Sequence, residues 1–318
     1  MTDKLFPKAP IVIAGCQRSG TTLLRTMLGN HPGILAHPDE PQFILGLFQR
    51  FGYSIKNLPA ALDFVTKHPY FPLSISPIEF AASFDSDNSI PLKSFILRYL
   101  TFWGAEDLQM KHPVLKHPQL ILHLDLISEL IPNAIIIHIV RDPRANVQSQ
   151  RNRWPQFTIW DCAMLWKKAV RSARKWSLRN PQNYHEVNYE ELVLNPKGVL
   201  ENLLTRLGLP YTDEVLSFDY QGPIYADGKH TGSVHYQSAD PSRINRWKDT
   251  LSSLEIRRIE YACRKEMLWF DYNPTHPTTP AIPHLIALWV ESVRHVFATI
   301  GRKFKSTIRQ AGWRLGFY

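Results

Sequence analysis

Short apolar runs alternate with longer amphipathic stretches along the chain. The clearest runs are residues 11–14 and 134–140, and residues 184–187 form a weaker third run. Nearly continuous apolar runs are typical of strands buried on both faces of a parallel sheet. Because polar residues and then a helical pattern follow the first two runs, the alternation predicts an α/β fold with a central parallel sheet and helices on both faces. Functional side chains are expected at the carboxyl ends of the strands.

The same pattern divides the chain into a main domain and two C-terminal segments. Residues 1–272 carry the alternating elements, with an irregular helical insertion over about residues 45–110 that prolines and aromatic residues interrupt. Long connections of this kind are usually functional, so we expect the insertion to form a lid or a wall of the substrate site. Residues 273–283 contain four prolines and three threonines and are predicted to be a linker. Residues 284–318 form a basic tail.

Composition narrows the class of protein. The chain has 318 residues, 44% hydrophobic and 20% charged, which excludes disordered, collagen-like and simple coiled-coil proteins. The three cysteines show neither a disulfide framework nor the spacing of a zinc site, so a reducing compartment is expected. No signal peptide is predicted before the first strand, and no apolar run of about 20 residues predicts a membrane span. The expected location is therefore the cytoplasm.

A phosphate-binding loop is predicted directly after the first strand. Residues 15–22 have the spacing of a P-loop, in which backbone N–H groups and a helix N-terminus bind phosphate oxygens. A nucleoside triphosphatase has a lysine where this chain has Thr21, and Arg18 supplies a cation within the loop instead. The planar fork of arginine binds phosphate or sulfate in a bidentate manner. The pattern favours an anion site without ATP or GTP hydrolysis; the alternative is a plain strand-to-helix turn.

A second candidate anion site follows the strand predicted over residues 134–140. Asp142 can cap the next helix and Pro143 suits its first turn, which places Arg141 at the strand end beside a helix N-terminus. Ser149 and Arg153 lie four residues apart on one face of that helix and can converge with Arg141 on one group. The alternative is a capped helix with arginines exposed to solvent.

These two sites resemble those of sulfotransferases that use 3′-phosphoadenylyl sulfate (PAPS), a nucleotide with anionic groups at the 5′ and 3′ positions of its ribose. Residues 18–25, Arg-Ser-Gly-Thr-Thr-Leu-Leu-Arg, resemble the family's 5′-phosphosulfate loop, and residues 141–144 with Ser149 resemble its 3′-phosphate motif. The spacing of the second motif is similar to that of the tyrosylprotein branch and its bacterial relatives. The resemblance covers residues 11 to about 270 and implies a three-layer, P-loop-like fold.

The resemblance implies a role in donor binding for each matching residue. Arg18 and the backbone of residues 19–22 would hold the 5′-phosphosulfate, whereas Arg141 and Ser149 would hold the 3′-phosphate. Arg153 matches a further donor contact. The adenine would approach Tyr189, which the sequence alone also allows as a core residue, and Arg246 would lie on the phosphate side. The implied donor-binding residues are Arg18, Ser19, Gly20, Thr21, Thr22, Arg141, Ser149, Arg153, Tyr189 and Arg246.

The resemblance also implies a base that takes the proton of the acceptor. Relatives place a glutamate just beyond the helix of the phosphate loop, where this chain has Asp39 and Glu40. The Glu-x-x-Phe pattern favours Glu40 as the base, whereas the spacing from Arg18 favours Asp39.

A cation is implied for the charge that builds on the sulfate and the leaving phosphate. Lys116, in the sequence Leu-Lys-His-Pro, matches the lysine that reaches the transferring sulfate, and Arg18 would share this catalytic role. His117 beside it is a further candidate base, as in the cytosolic small-molecule branch. A second Lys-His-Pro sequence stands five residues earlier, at residues 111–113, so either lysine can match the family motif. We prefer the later lysine, Lys116.

The basic tail carries an amphipathic pattern. Its apolar residues recur at three- and four-residue steps from Leu285 to Ile308, which predicts a helix. Residues 281–318 contain six Lys and Arg residues and one acidic residue, a large part of the net charge of +9. Basic and aromatic residues together suit an anionic membrane surface, which would make the protein peripheral at the inner face of a membrane. Packing on the domain or on a dimer partner is the alternative.

The expected activity is transfer of a sulfuryl group from PAPS to a hydroxyl or amine, releasing adenosine 3′,5′-bisphosphate. A PAPS-binding protein without turnover and a P-loop kinase are the alternatives. The resemblance allows a carbohydrate, lipid, phenol or tyrosine acceptor. Neither a metal nor a nucleic-acid partner is implied, since the sequence has no zinc spacing and no nucleic-acid motif, and a homo-oligomer is allowed.

Overall fold

The fold was analysed in a computed structural model that describes residues 6–217 and 239–276, except 39, 70, 73 and 85–88. The strands are β1 (Ile11–Ala14), β2 (Ile34–Ala36), β3 (Ser54–Ile55), β4 (Ile90–Pro91), β5 (His112–Lys116), β6 (Ile135–Val140) and β7 (Tyr184–Asn188). The α-helices are α1 (Thr21–Gly29), α2 (Phe43–Phe51), α3 (Leu58–Thr66), α4 (Pro77–Ala82), α5 (Leu92–Gly104), α6 (Leu124–Leu130), α7 (Pro143–Arg153), α8 (Ile159–Ser177), α9 (Tyr189–Leu194), α10 (Pro196–Arg206), α11 (Ser242–Asn245), α12 (Trp247–Thr250) and α13 (Ser253–Met267). None of these helices is long and apolar enough to cross a membrane.

Five strands form one parallel sheet in the order β2-β5-β1-β6-β7. Strand β1 lies in the middle, and its residues alternate between two apolar cores. Val12 and Ala14 belong to one core, and Ile11 and Ile13 belong to the other. Helices α5, α6, α8 and α13 contribute to the first core, and α1, α9 and α10 contribute to the second. The predicted α/β fold with helices on both faces of a parallel sheet is therefore confirmed.

The sheet has two strands that the apolar pattern does not predict. Strand β2 has three residues, which is too short for a periodic signal. Strand β5 carries His112, Pro113 and Lys116 among its five buried residues, so it does not read as an apolar run. Both strands are defined by their pairing with neighbouring strands. Leu35 of β2 lies opposite Pro113 of β5, and Leu115 of β5 lies opposite Val12 of β1.

The segment predicted as a helical insertion contains helices α2–α5 and a short antiparallel pair, β3 and β4. Its aromatic side chains pack on one another: the rings of Phe80 and Phe95 meet edge to face with centroids 5.9 Å apart, and Phe80 contacts Tyr99 in the same way. The hydroxyl of Tyr99 forms a hydrogen bond with the ring of His37, which precedes the candidate bases Asp39 and Glu40 in the sequence. This hydrogen bond joins the insertion to the segment that leads to the candidate bases. That the insertion forms a lid or a wall of the substrate site stays a prediction, because none of its described residues lines the cleft described below.

The buried carboxylate of Glu260 joins the C-terminal residues of the described chain to α7. Glu260, in α13, accepts hydrogen bonds from Arg144, from the N–H and hydroxyl of Thr275 and from the N–H of His276. Arg144 also pairs with Asp142 at the start of α7. Most of the predicted linker and the whole predicted amphipathic tail, residues 277–318, lie outside the described residues.

Candidate functional site

The phosphate loop joins β1 to α1 and contains two positive φ angles. Gly20, directly before α1, has a φ of +101°, a conformation that favours glycine. A Cβ at this position would also overlap the ring of Tyr189. Arg18 has a φ of +67°. No side chain caps the N-terminus of α1, and Gly20, Thr21 and Thr22 line a cleft. The first N–H groups of α1 are thus suited to bind an anion.

Two buried side-chain amides of α7 contact this loop. Asn146 donates from Nδ2 to the carbonyl of Gln17 at 2.8 Å and to the Oγ of Ser19 at 3.0 Å. Gln150 donates to Oδ1 of Asn146 at 2.6 Å and contacts the Sγ of Cys16 at 3.6 Å. Sequence reasoning missed both amides, although polar side chains four residues apart on a buried helix face are a usable signal.

Unlike the other predicted residues of the loop, Ser19 does not line the cleft. Its side chain is fully buried against Asn146, and its N–H donates to the carbonyl of Cys16 at 3.1 Å. Ser19 therefore shapes the turn, whereas the side chain of Arg18 faces the cleft.

Arg141, at the end of β6, lies under the same cleft. Its guanidinium donates to the carbonyls of Arg18 at 3.1 Å and Arg243 at 2.7 Å, and it stacks 4.4 Å from the ring centre of Tyr189. Its Nε is buried and has no hydrogen-bond partner among the described residues. The predicted cap is also present, because the Asp142 side chain accepts from the N–H of Arg144.

The cleft brings together nearly all of the predicted residues in a volume of about 600 Å³. Ser149 accepts a hydrogen bond from Nε of Arg18 at 3.3 Å, which links the two predicted anion sites directly. The predicted residues that line the cleft are Arg18, Gly20, Thr21, Thr22, Glu40, Lys116, His117, Arg141, Ser149, Arg153, Tyr189 and Arg246. Lining residues that sequence reasoning missed include Gln42, Gln119, Gln148, Asn152, Trp154 and Arg243.

Glu40 and Lys116 form an ion pair at the edge of this cleft. The Nζ of Lys116 lies 2.5 Å from Oε1 of Glu40, and the lysine side chain is 5% exposed. Burial raises the pKa of the Glu40 carboxyl, but the charge and hydrogen bond of Lys116 outweigh it and hold the pKa below its usual value. Glu40 is thus ionised and can accept a proton, while Lys116 directs a cation into the cleft.

Strand pairing explains why these two side chains meet. The N–H of His37 donates to the carbonyl of Val114 at 2.8 Å, which continues the pairing of β2 with β5. Arg25, a buried side chain of α1, donates to the carbonyls of His37 and Pro38. The loop that carries Glu40 is therefore attached both to the sheet and to the helix of the phosphate loop.

The other candidates for the base and the cation are placed differently. His117 is buried, and its Nδ1 accepts from the N–H of Gln119 at 3.2 Å. Burial, assisted by the charge of Lys116, lowers the pKa of His117 to about 4 despite the opposing charge of Glu40, so its imidazole is neutral at pH 7. Lys111 precedes β5, at the opposite end of the strand from Lys116, and pairs with Asp107. Asp39 lies outside the described residues.

The charge of the cleft is strongly positive. The described lining residues include six Arg and Lys side chains and one acidic side chain, that of Glu40. Such a set suits a ligand with several negative charges, such as a nucleotide phosphorylated at two positions. Within the described part of the chain, no group of three or more His, Cys, Asp and Glu side chains is placed to hold a metal ion.

Comparison with known proteins identifies relatives of this chain. The sequence model described as "Sulfotransferase family" matches residues 10–213. The chain is 26% identical to protein-tyrosine sulfotransferase 1 of Danio rerio over 212 residues, which cover 65% of this chain and 55% of that protein. It is also 26% identical to protein-tyrosine sulfotransferase A of Caenorhabditis elegans over 213 residues, 65% of this chain and 51% of that protein. The chain thus spans about half the length of these relatives.

Two solved structures share the fold. The sulfotransferase domain from the Synechococcus PCC 7002 olefin synthase has a TM-score of 0.58 at 22% identity, over 77% of this chain and 90% of that domain. The sulfotransferase domain from the curacin biosynthetic pathway has a TM-score of 0.62 at 19% identity, over 84% and 98%. At these sequence identities, the similarity shows a shared fold and nothing further.

Proposed function

The chain belongs to the sulfotransferase family, and from this premise we propose that it transfers a sulfuryl group from PAPS to an acceptor hydroxyl or amine and releases adenosine 3′,5′-bisphosphate. The observation that carries the proposal is the single cleft in which two linked anion sites adjoin the Glu40–Lys116 pair. A nucleotide with anionic groups at both ends of its ribose matches two linked sites. The volume of about 600 Å³ is within the range of cofactor pockets, roughly 300–1,000 Å³.

In this proposal the donor lies across the two linked sites. The N-terminus of α1 and Arg18 bind the 5′-phosphosulfate, because the helix end and the guanidinium both favour an anion there. Arg141 and Ser149 bind the 3′-phosphate, with Arg153 and Arg246 as further cations on the cleft wall. Arg141 lines the cleft, so its fixed positive charge favours an anion there.

The proposed chemistry uses Glu40 as base and Lys116 as the cation that stabilises the transition state. The acceptor oxygen or nitrogen attacks the sulfur, the bond from sulfur to the 5′-phosphate oxygen breaks, and the acceptor proton passes to Glu40. Negative charge grows on the leaving phosphate, where Arg18 and the N-terminus of α1 compensate it. When Lys116 turns towards the sulfate oxygens, it pairs less strongly with Glu40. The pKa of Glu40 then rises, which makes it a stronger base.

A labelled-donor assay tests the activity. Purified protein with ³⁵S-labelled PAPS is offered carbohydrate, lipid, phenolic and tyrosine-peptide acceptors, and release of adenosine 3′,5′-bisphosphate is followed in parallel. We expect transfer to one acceptor class, without added metal. Tight binding of PAPS with no transfer to any class would favour a binding protein. Mg²⁺-dependent ATP turnover would instead favour a kinase.

A further inference from the structure

A second concave surface lies on the outer side of α8, outside the cleft described above. It is a groove of about 710 Å³ that starts at the C-terminal part of α7 and follows α8. Phe157, Met164 and Leu165 form its apolar part, with the buried Cys162 beneath. Apolar side chains that line a concave, solvent-accessible surface are typical of a binding site for a hydrophobic group.

Basic side chains border this apolar groove. Lys168 and Lys175 are exposed on the same face of α8 as Met164, and no acidic group lies within salt-bridge distance of either lysine in the described parts of the chain. Lys167 and Arg171 also line the groove, but they pair with the buried Glu266, at 3.8 Å and 2.5 Å.

Asp161 is the single acid among the described lining residues. Its carboxylate caps the start of α8 by accepting from the N–H and the hydroxyl of Thr158, at 3.2 Å and 2.9 Å. The charge of the groove that a ligand would meet is therefore positive.

The turn between α7 and α8 separates the groove from the cleft. Trp154 lines the cleft, Phe157 lines the groove, and their rings meet edge to face with centroids 6.3 Å apart. The two surfaces are thus neighbours with opposite character, one polar and strongly cationic, the other apolar with a basic border.

We propose that the α8 groove binds the hydrocarbon chain of an anionic amphiphile, with Lys168 and Lys175 holding the acidic head group. The apolar part of the groove removes the chain from water, and the two lysines supply the charge that a carboxylate, sulfate or phosphate head requires. The basic tail is a poorer occupant, because residues 281–318 carry six Lys and Arg residues and one acid and would be repelled by the same lysines. The proposal is independent of the sulfuryl-transfer activity.

Calorimetric titration of the full chain with dodecanoate below its micelle concentration tests the proposal. Dodecyltrimethylammonium, with the same chain length and the opposite charge, is the matched ligand. We expect one dodecanoate per chain and about tenfold weaker binding of the cation, since two lysines then oppose the head group. Met164→Asp, which places a charge on the apolar surface, is expected to weaken dodecanoate binding more than tenfold.

The variant Lys168→Glu/Lys175→Glu is expected to lose the preference for the anion. Its matched control is Lys56→Glu/Lys197→Glu, which reverses two exposed charges elsewhere and is expected to bind like the parent chain. Melting temperatures show that each variant is folded.

Three outcomes would overturn the proposal. The first is equal dodecanoate binding by the parent chain, the groove variants and the control. The second is binding to anionic bilayers with none to monomeric dodecanoate, which would indicate a membrane-facing surface. The third is binding only after removal of residues 277–318, which would mean that the chain itself covers the groove.

Discussion

The two halves of the cleft are held in place by different means. The proposed donor half, which comprises the phosphate loop and Arg141, is attached to the core. Asn146 donates a hydrogen bond to the loop and Gln150 supports Asn146. Arg141 is buried between two backbone carbonyls and an aromatic ring. The proposed base half is a loop that carries Glu40, attached to the edge of the sheet through the N–H of His37, to α1 through Arg25 and to β5 by the ion pair with Lys116. Donor binding should therefore tolerate changes in the loop, whereas the chemical step should be sensitive to them.

The largest expected effect comes from the proposed base, Glu40. Glu40→Gln removes the proton acceptor and keeps the shape, so we expect the rate of sulfuryl transfer to fall by about 10²–10⁴-fold. Affinity for adenosine 3′,5′-bisphosphate, measured by calorimetry, should change little because the donor half is untouched.

Two matched variants sharpen the assignment of the base. Asp39→Asn and His117→Gln should each retain most of the transfer rate. A loss in either that equals the loss in Glu40→Gln would move the role of base to that residue.

A smaller effect is expected from the attachment of the base loop. Arg25→Met removes the hydrogen bonds to the carbonyls of His37 and Pro38, and a misplaced base can cost about 10²-fold in rate. We expect kcat to fall while bisphosphate affinity and the KM for PAPS stay close to those of the parent chain. Equal losses in kcat and in bisphosphate affinity would contradict the division of the cleft into two independently held halves.

The donor half can be loosened through Asn146, which does not line the cleft. Asn146→Ala leaves the carbonyl of Gln17 and the hydroxyl of Ser19 without their buried donor, which should cost about 1–3 kcal/mol of unfolding free energy. Bisphosphate affinity should fall several-fold with it. Denaturant unfolding and calorimetry measure the two effects, and unchanged affinity in a destabilised variant would show that the amide supports the fold alone.

A pH dependence of stability is also expected, and it leaves the contacts of the cleft at neutral pH unchanged. The pKa of buried His117 is about 4, below the usual 6.5, so the unfolded chain binds a proton that the folded chain does not take up until about pH 4. Stability should therefore fall as pH drops from about 6.5 to about 4. The pKa of Glu40 is also lowered, so its contribution is lost as pH falls through that value. His117→Gln should flatten the slope by at most about 1.4 kcal/mol per pH unit, which urea unfolding at several pH values measures.

That slope should be reduced rather than abolished in His117→Gln. Burial also lowers the pKa of other histidines, which titrate in the same direction: His68, His112, His123 and His185. An unchanged slope in the variant would mean that His117 is not held neutral in the folded chain.

The contrast between the two halves also explains what could be predicted from the sequence. Arg18 and Arg141 follow apolar strands and precede helices, so local pattern alone places them at one sheet edge. The spacing of Asn146 and Gln150 marks two polar residues on one helix face, but their partners lie about 130 positions away, and no local pattern identifies those partners. The sequence favours Lys116 but leaves Lys111 open, and the pairing of β5 with β1 shows which end of the strand meets the cleft.

We propose above all that the two linked anion sites bind one nucleotide phosphorylated at both the 5′ and 3′ positions. Calorimetric titration with adenosine 3′,5′-bisphosphate, ATP and 5′-AMP, repeated for Arg18→Ala and Arg141→Ala, tests it most directly. We predict a clear preference for the bisphosphate that falls by about 10–100-fold in each variant, as expected for the loss of charged hydrogen bonds. Equal or tighter binding of ATP, or variants that bind like the parent chain, would contradict the account.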